Sequence, residues 1–297
     1  MVATAKQENI DSLLKGITIP SPPQILADIQ MEMAMPDADL GHLAKIIAND
    51  AGLSGAIIKI LHSPYYGGAN ESTSIPQAVL MLGEKTTMDI VNSICIKNAT
   101  INFDEMPDNV YSTLNRFWDS ASDVAKVCEL IAAQIGISRD ENVYLLGLFH
   151  NVGIALLIAR HEKYLDIIEK SYAETESRIV DVENEAYDTN HAVLSYYIAK
   201  SWKLAPNLCR IISMHHNPST FTSSEHIDEH NAQLLGILKI AEHIVGLHRI
   251  LGNQDIDHEW GRISENVMLM VGMTSYELDD LKAQTVELGY GQQLYFR

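Results

Sequence analysis

An all-α fold is predicted for this 297-residue chain. Apolar residues recur at helical spacing, helix start and stop signals bracket those runs, and no sustained strand-type alternation is found. Leu26, Ile29 and Met33 stand at i, i+3, i+7. Val124, Val127, Cys128, Ile131 and Ile135 form a longer stripe, as do Leu234, Leu238, Ala241 and Val245. Each set places apolar groups on one helical face. The β-branched residues lie scattered inside these patterns.

The elements follow in order. Ser21-Pro22-Pro23 opens a helix, because proline is tolerated in the first turn. Asp37 or Asp39 caps the next, through Leu40, Leu43, Ile46 and Ile47. Ser54 or its neighbours open a third that ends near His62-Ser63-Pro64. Ser74-Ile75-Pro76 starts another, Gly83 breaks it, and Thr86 or Thr87 begins the following one. Polar residues 102–110 (NFDEMPDNV) mark a boundary, and residues 217–230 read as a long loop or lid. A third break, residues 252–260, precedes two short terminal helices. The expected organisation is an N-terminal helical subdomain over 1–105, a second helical subdomain over 106–218, and a loop with a helical extension over 219–297.

Composition excludes several functions. Thirty-nine acidic against 21 basic residues give a formal net charge of -18. Such a balance opposes a phosphate-tracking surface, so no nucleic acid is expected as a partner, and anionic membranes are disfavoured. The apolar stretch 143–159 carries His150 and Asn151 at its middle, too polar for a membrane span. The N-terminal residues MVATAKQENIDSLL lack a signal-peptide core. Cys95, Cys128 and Cys209 are odd in number and set among apolar neighbours, which fits core thiols of a reducing compartment. The expected location is the cytoplasm.

Histidine is the informative residue type, with twelve copies. His226, His230 and His258 sit in polar segments. His150 lies within LLGLFHNVGIALL, where burial is unavoidable. His191 follows the capping pair Thr189-Asn190, and His215-His216 end an apolar helix before Asn217-Pro218. Imidazoles converging in a helical core can hold a divalent transition metal. They can equally be neutral core groups with satisfied hydrogen bonds. Adjacent His215 and His216 diverge by about 100° on a helix, so only one need face inward.

The step Leu148-Phe149-His150-Asn151 resembles the HD pair of the HD phosphohydrolase superfamily, with Asn151 in the aspartate's place. The chain from about Ile19 to Pro218 resembles the HDOD branch of that superfamily. The resemblance is carried in order by IPSPPQILADI (19–29), PDADLGHLAKIIANDAGLSGAIIKILHSPYYG (36–67), SIPQAVLMLG (74–83), FWDSASDVA (117–125), LLGLFHNVG (145–153), NHAVLSYYIAKSWKLAPNL (190–208) and IISMHHNP (211–218). It implies a multi-helical fold of two packed subdomains and a role in bacterial signal transduction, through a protein partner or a small ligand bound between the subdomains. It also implies that Ser120 stands where metal-binding members carry a first histidine. His150 and Asn151 form the HD step, and His191, His215 and His216 match later histidines. A distal aspartate is implied near residues 239–243, where Glu242 is the available carboxylate. His150, Asn151, His191, His215 and His216 are thus the candidates for a vestigial site. The expectation is a regulatory module with no catalytic residues and no cofactor. The alternative is a single divalent transition metal and a divergent phosphohydrolase. The segment HSPYYG (62–67) reads as a helix stop and turn.

Overall fold

The computed structural model describes residues 17–61, 74–100, 107–137, 142–217 and 228–291. Among them stand fifteen helices and no strand, the predicted all-α class. The segment HSPYYG, the helix end at His62-Ser63-Pro64, residues 102–106, Pro218 and most of the 217–230 loop, His226 included, lie outside the described residues.

The chain divides into two compact units, Ser21–Thr100 and Ile101–Arg297 with the stretch ending at Pro20. The first holds α1 (Gln24–Met33), α2 (Leu40–Ala48), α3 (Ala51–Leu61) and α4 (Ile75–Thr100). Pro23 precedes α1, and Asp39 caps α2 by accepting from the His42 N–H at 2.9 Å. Helix α3 opens at Ala51, three residues before Ser54: Asp50 accepts from Leu53 N at 2.8 Å, while the Ser54 hydroxyl turns back to Ile47 O at 3.0 Å. Gly83 breaks α4 with φ 76° and ψ 170°, a conformation that excludes side-chain-bearing residues. Leu26, Ile29, Leu43, Ile47, Ile57 and Ile96 fill this unit's core.

The larger unit holds α5 (Asp108–Gln134), α6 (Asn142–Phe149), α7 (Val152–Arg160), α8 (Tyr164–Ala173), α9 (Ile179–Tyr187), α10 (His191–Ser201) and α11 (Pro206–Met214). It continues with α12 (Glu229–Val245), α13 (Leu247–Ile250), α14 (His258–Val271) and α15 (Ser275–Glu287). Helix α5 packs on α6 and α12, α7 on α10, α10 on α11, and α12 on α14. Val143–Arg160 is long and apolar enough to cross a bilayer, but it breaks into α6 and α7 at His150 and Asn151 and is 83% buried in protein. Cys95, Cys128 and Cys209 are buried free thiols, as their apolar settings predict.

Two glycines set the spacing around the break. A Cβ on Gly147 would stand 2.6 Å from Ala125 Cα, so α6 lies directly on the α5 backbone. A Cβ on Gly153 would stand 2.2 Å from His191 O, and the Gly153 N–H donates to Ser195 Oγ at 2.9 Å. Helix α7 therefore touches the first turn of α10, where His191 sits. Replacing Gly147 or Gly153 by alanine should lower unfolding stability by about 1–3 kcal/mol through overpacking. Gly261→Ala within α14, where a Cβ meets nothing within 4 Å, should raise it by about 0.5–1 kcal/mol. Urea titrations of the three variants check this, and equal effects at all three positions would contradict the packing.

Candidate functional site

The five predicted positions converge. His150 and Asn151 form the turn between α6 and α7; His191 is the first residue of α10; His215 and His216 form the turn after α11. All five are buried, with at most 3% of any residue exposed. His150 and His215 rings stand 5.4 Å apart centre to centre, His191 and His216 5.0 Å, and His215 and His216 4.0 Å. One expectation is corrected. Helix α11 stops at Met214, so the adjacent histidines sit past its end, and both face inward.

Each imidazole is held from behind through Nδ1. His150 Nδ1 is 2.7 Å from Gly147 O, and His215 Nδ1 is 2.7 Å from Ile212 O. His191 Nδ1 is 2.7 Å from Glu183 Oε2, and His216 Nδ1 is 2.7 Å from Glu259 Oε1. All four partners are oxygen acceptors, so each neutral ring carries its proton on Nδ1 and leaves Nε2 a bare lone pair.

Those lone pairs then meet other acceptors. His191 Nε2 is 3.1 Å from His216 Nε2, His215 Nε2 is 3.2 Å from Asn151 Oδ1, and His150 Nε2 is 3.2 Å from Glu242 Oε1. His150 Nε2 and Asn151 Nδ2 are buried without a hydrogen-bond partner. The His191–His216 encounter sets two bare nitrogens face to face and calls for a cation or an added proton, whereas turning the Asn151 amide over lets its unpartnered Nδ2 donate to His215. Protonation is opposed: burial first, then the neighbouring His216, hold His215 well below the usual imidazole range. Burial, then Lys239 and His191, do the same to His216.

The donor set fits one divalent transition ion. Ligand atoms of His191, His215 and His216 lie within 4.8 Å of one another. The His191–His216 pair, at 3.1 Å, is near the roughly 3.4 Å separation that tetrahedral bonds of 2.1 Å impose. Backing of each Nδ1 by an acceptor is the arrangement that orients metal-binding histidines. A recess of about 150 Å3 opens beside His216, with Arg178, Asn184, Asn190 and Ser213 in its walls.

Three residues at the site carry no motif. Glu183 from α9 accepts the His191 N–H at 3.1 Å as well as its ring, and its other oxygen takes the Tyr164 hydroxyl. Lys239 from α12 places Nζ 2.7 Å from Glu259 Oε2 and 2.5 Å from Glu242 Oε2. The Glu242 contact is an ion pair off the line of a good hydrogen bond, since Oε2 has no aligned donor. Burial opposes the Lys239 charge, but Glu242 and Glu259 outweigh it and hold the ammonium above the ordinary lysine value. Burial likewise pushes the Glu242 carboxyl up, and Lys239 with His150 brings it well below the usual range. Glu242, in the stretch where the resemblance implies a distal aspartate, places Oε1 3.2 Å from His150 Nε2. Ser120 is buried, and its hydroxyl donates to Phe117 O at 2.7 Å within its own helix.

A signal for the missed charges exists in the sequence. The missed Lys239 stands i, i+3 from the already named Glu242, with opposite sign, inside the apolar run Leu234 to Val245, and the missed Glu183 shares the buried face of Ile179 and Val182. A second group was also missed. His243 Nδ1 lies 2.8 Å from Asp257 Oδ2, His248 Nδ1 lies 3.5 Å from the same oxygen, and the Trp260 ring stacks on His243 at 4.3 Å.

The protonation argument has a measurable consequence. His215 and His216 stay neutral in the folded chain, while their unfolded counterparts gain protons below about pH 6.5. Their contribution to stability is therefore complete above that pH and is lost as pH falls from there toward the depressed native values. With metal removed by a chelator, the urea midpoint should be lower at about pH 5.5 than at about pH 7.5, and His216→Gln should narrow the gap. An unchanged midpoint in the wild type would refute neutral imidazoles.

Comparison with known proteins places this geometry. The HDOD domain family model matches residues 19–218. A curated protein of Treponema pallidum, to which no function is assigned, is 23% identical over 199 residues, 67% of this chain and 38% of that protein. The chain thus spans under two fifths of that relative's length. The crystal structure of an HDOD domain protein of unknown function from Geobacter sulfurreducens is similar with a TM-score of 0.64 at 21% identity, over 96% of this chain and 99% of that one. A Shewanella amazonensis protein whose name proposes a phosphohydrolase gives 0.65 at 20%, over 97% and 95%. A Marinobacter aquaeolei protein whose name proposes signal transduction gives 0.64 at 16%, over 96% and 64%. At these identities the structures establish a shared fold, and the family match over two thirds of the sequence establishes more: this chain belongs to the HDOD domain family.

Proposed function

We propose that this chain is a regulatory HDOD module that acts by binding, and that its pocket holds one divalent transition ion without supporting hydrolysis. The ion would be held by His191, His215 and His216 through Nε2, and it would supply a fixed positive charge at the centre of the larger unit. The output would pass to a signalling protein; of this, the name of the Marinobacter relative suggests the signal-transduction role alone.

The observation that carries this reading is the commitment of the carboxylates. Glu183 is taken by His191 and Tyr164, Glu259 by Lys239 and His216, and Glu242 is ion-paired to Lys239 with its Oε1 facing His150. A hydrolytic centre needs a free anionic oxygen to bridge ions and a water held in an open position. Asn151 offers a neutral oxygen at the HD step, and Ser120 spends its proton on Phe117 O. The acidic balance of -18 gives no support to a nucleic-acid partner.

A second reading is a divergent metal-dependent phosphohydrolase. It is favoured by the three inward imidazoles and by the name of the Shewanella relative. Two experiments separate the readings. Protein loaded with manganese, iron or nickel should show no phosphodiesterase or nucleotidase turnover; turnover that disappears in His150→Ala would establish the hydrolase. Elemental analysis of protein purified without a metal-affinity step should give about one transition ion per chain, as the single histidine triad implies. His191→Ala and His216→Ala should each lose it, and a metal content unaffected by either would remove the proposed site.

A further inference from the structure

We propose that Lys239 is a built-in replacement for a second metal ion: its ammonium occupies the carboxylate end of the pocket and restricts this centre to a single ion. The inference rests on the one-ion reading above and concerns what sets the number. Lys239 is 3% exposed in its side chain, so its charge is confined among its partners. Nζ lies 2.5 Å from Glu242 and 2.7 Å from Glu259. The other oxygen of Glu242 is 3.2 Å from His150 Nε2, and the other oxygen of Glu259 is 2.7 Å from His216 Nδ1. One ammonium therefore links two carboxylates that each also touch an imidazole of the pocket.

The arrangement has the bonding pattern of a bridging cation. Two carboxylates converging on one point in a buried setting need positive charge between them, or they repel and lose their solvation together. A dication there would need both as ligands. The ammonium pairs with both through one charge, and being covalently tethered it cannot be dialysed away. A dication approaching Glu242 or Glu259 meets a like charge at contact distance and must expel it first. His150 faces Glu242 across the pocket, so it belongs to the closed end rather than to the open triad.

The test is metal stoichiometry, which is independent of turnover. Wild-type protein, Lys239→Met and Lys239→Arg are equilibrated with excess manganese or zinc, dialysed and analysed for metal per chain. Lys239→Met keeps the aliphatic stem and frees both carboxylates, so it should retain one more ion than the wild type. Lys239→Arg keeps the charge and should match the wild type. The added ion should vanish in Lys239→Met/Glu259→Gln. Lys239→Met without metal should also melt at a lower temperature than the wild type and recover on metal addition, because its carboxylates are then unpaired. A stoichiometry in Lys239→Met equal to that of the wild type would overturn the inference. Should Lys239→Met fail to fold, anomalous scattering from wild-type crystals grown with excess manganese decides the matter. An ion bonded to Glu242 or Glu259 beside an intact Lys239 overturns it, and metal confined to the histidine triad supports it. Hydrolytic turnover would sink the regulatory reading while leaving this stoichiometry result untouched.

Discussion

Four imidazoles share one buried pocket, and that is tolerable only because each has an oxygen acceptor behind its Nδ1. Two of these acceptors are carbonyls of the ring's own helix, at Gly147 and Ile212. The other two are carboxylates brought from α9 and α14. The backing settles the tautomer, turns every Nε2 toward its neighbours, and so concentrates lone pairs at one point. The surrounding design follows from that concentration. Glycines at 147 and 153 let α6 and α7 approach close enough to present His150 and Asn151. The Asn190 cap, accepting from Val193 N at 3.0 Å, starts α10 with His191 already inside.

The charged groups form a continuous chain across the larger unit. Tyr164 leads to Glu183, His191, His216, Glu259, Lys239, Glu242 and His150. It has three carboxylates and one ammonium, so the imidazoles are set in a field that is negative at its edges. Buried polar chains of this kind specify one arrangement, because a half-satisfied network costs more than an apolar core. They also leave little freedom for the chemistry of an open site. A carboxylate that must neutralise a lysine is a poor ligand for an additional ion, and an amide at the HD step supplies no charge to compensate.

The contributions come from distant parts of the chain. Helix α12, which begins at Glu229, carries Lys239 and Glu242, and α14 carries Glu259. The match to the HDOD family runs over residues 19–218, yet three members of the network, Lys239, Glu242 and Glu259, lie outside it. Residues beyond the matched segment thus take part in the pocket chemically.

Much of the fold is legible from the sequence alone, because helical order is local. The stripe from Val124 to Ile135, the caps at Asp39 and Asn190, and the break at Gly83 depend on residues within a turn or two of each other. The histidines are legible too, since His150 stands in a run of apolar residues that leaves burial as its only outcome. What the sequence does not contain is direction. Whether His215 and His216 both face inward depends on where α11 stops, and whether Glu242 meets an imidazole or solvent depends on how α12 lies against α5. Glu183, Lys239 and Glu259 are 8, 23 and 43 residues from the histidines they serve or neighbour (His191 or His216). Their role is created when packing removes water and forces each buried charge to find a partner, a selection that only the assembled helices can make.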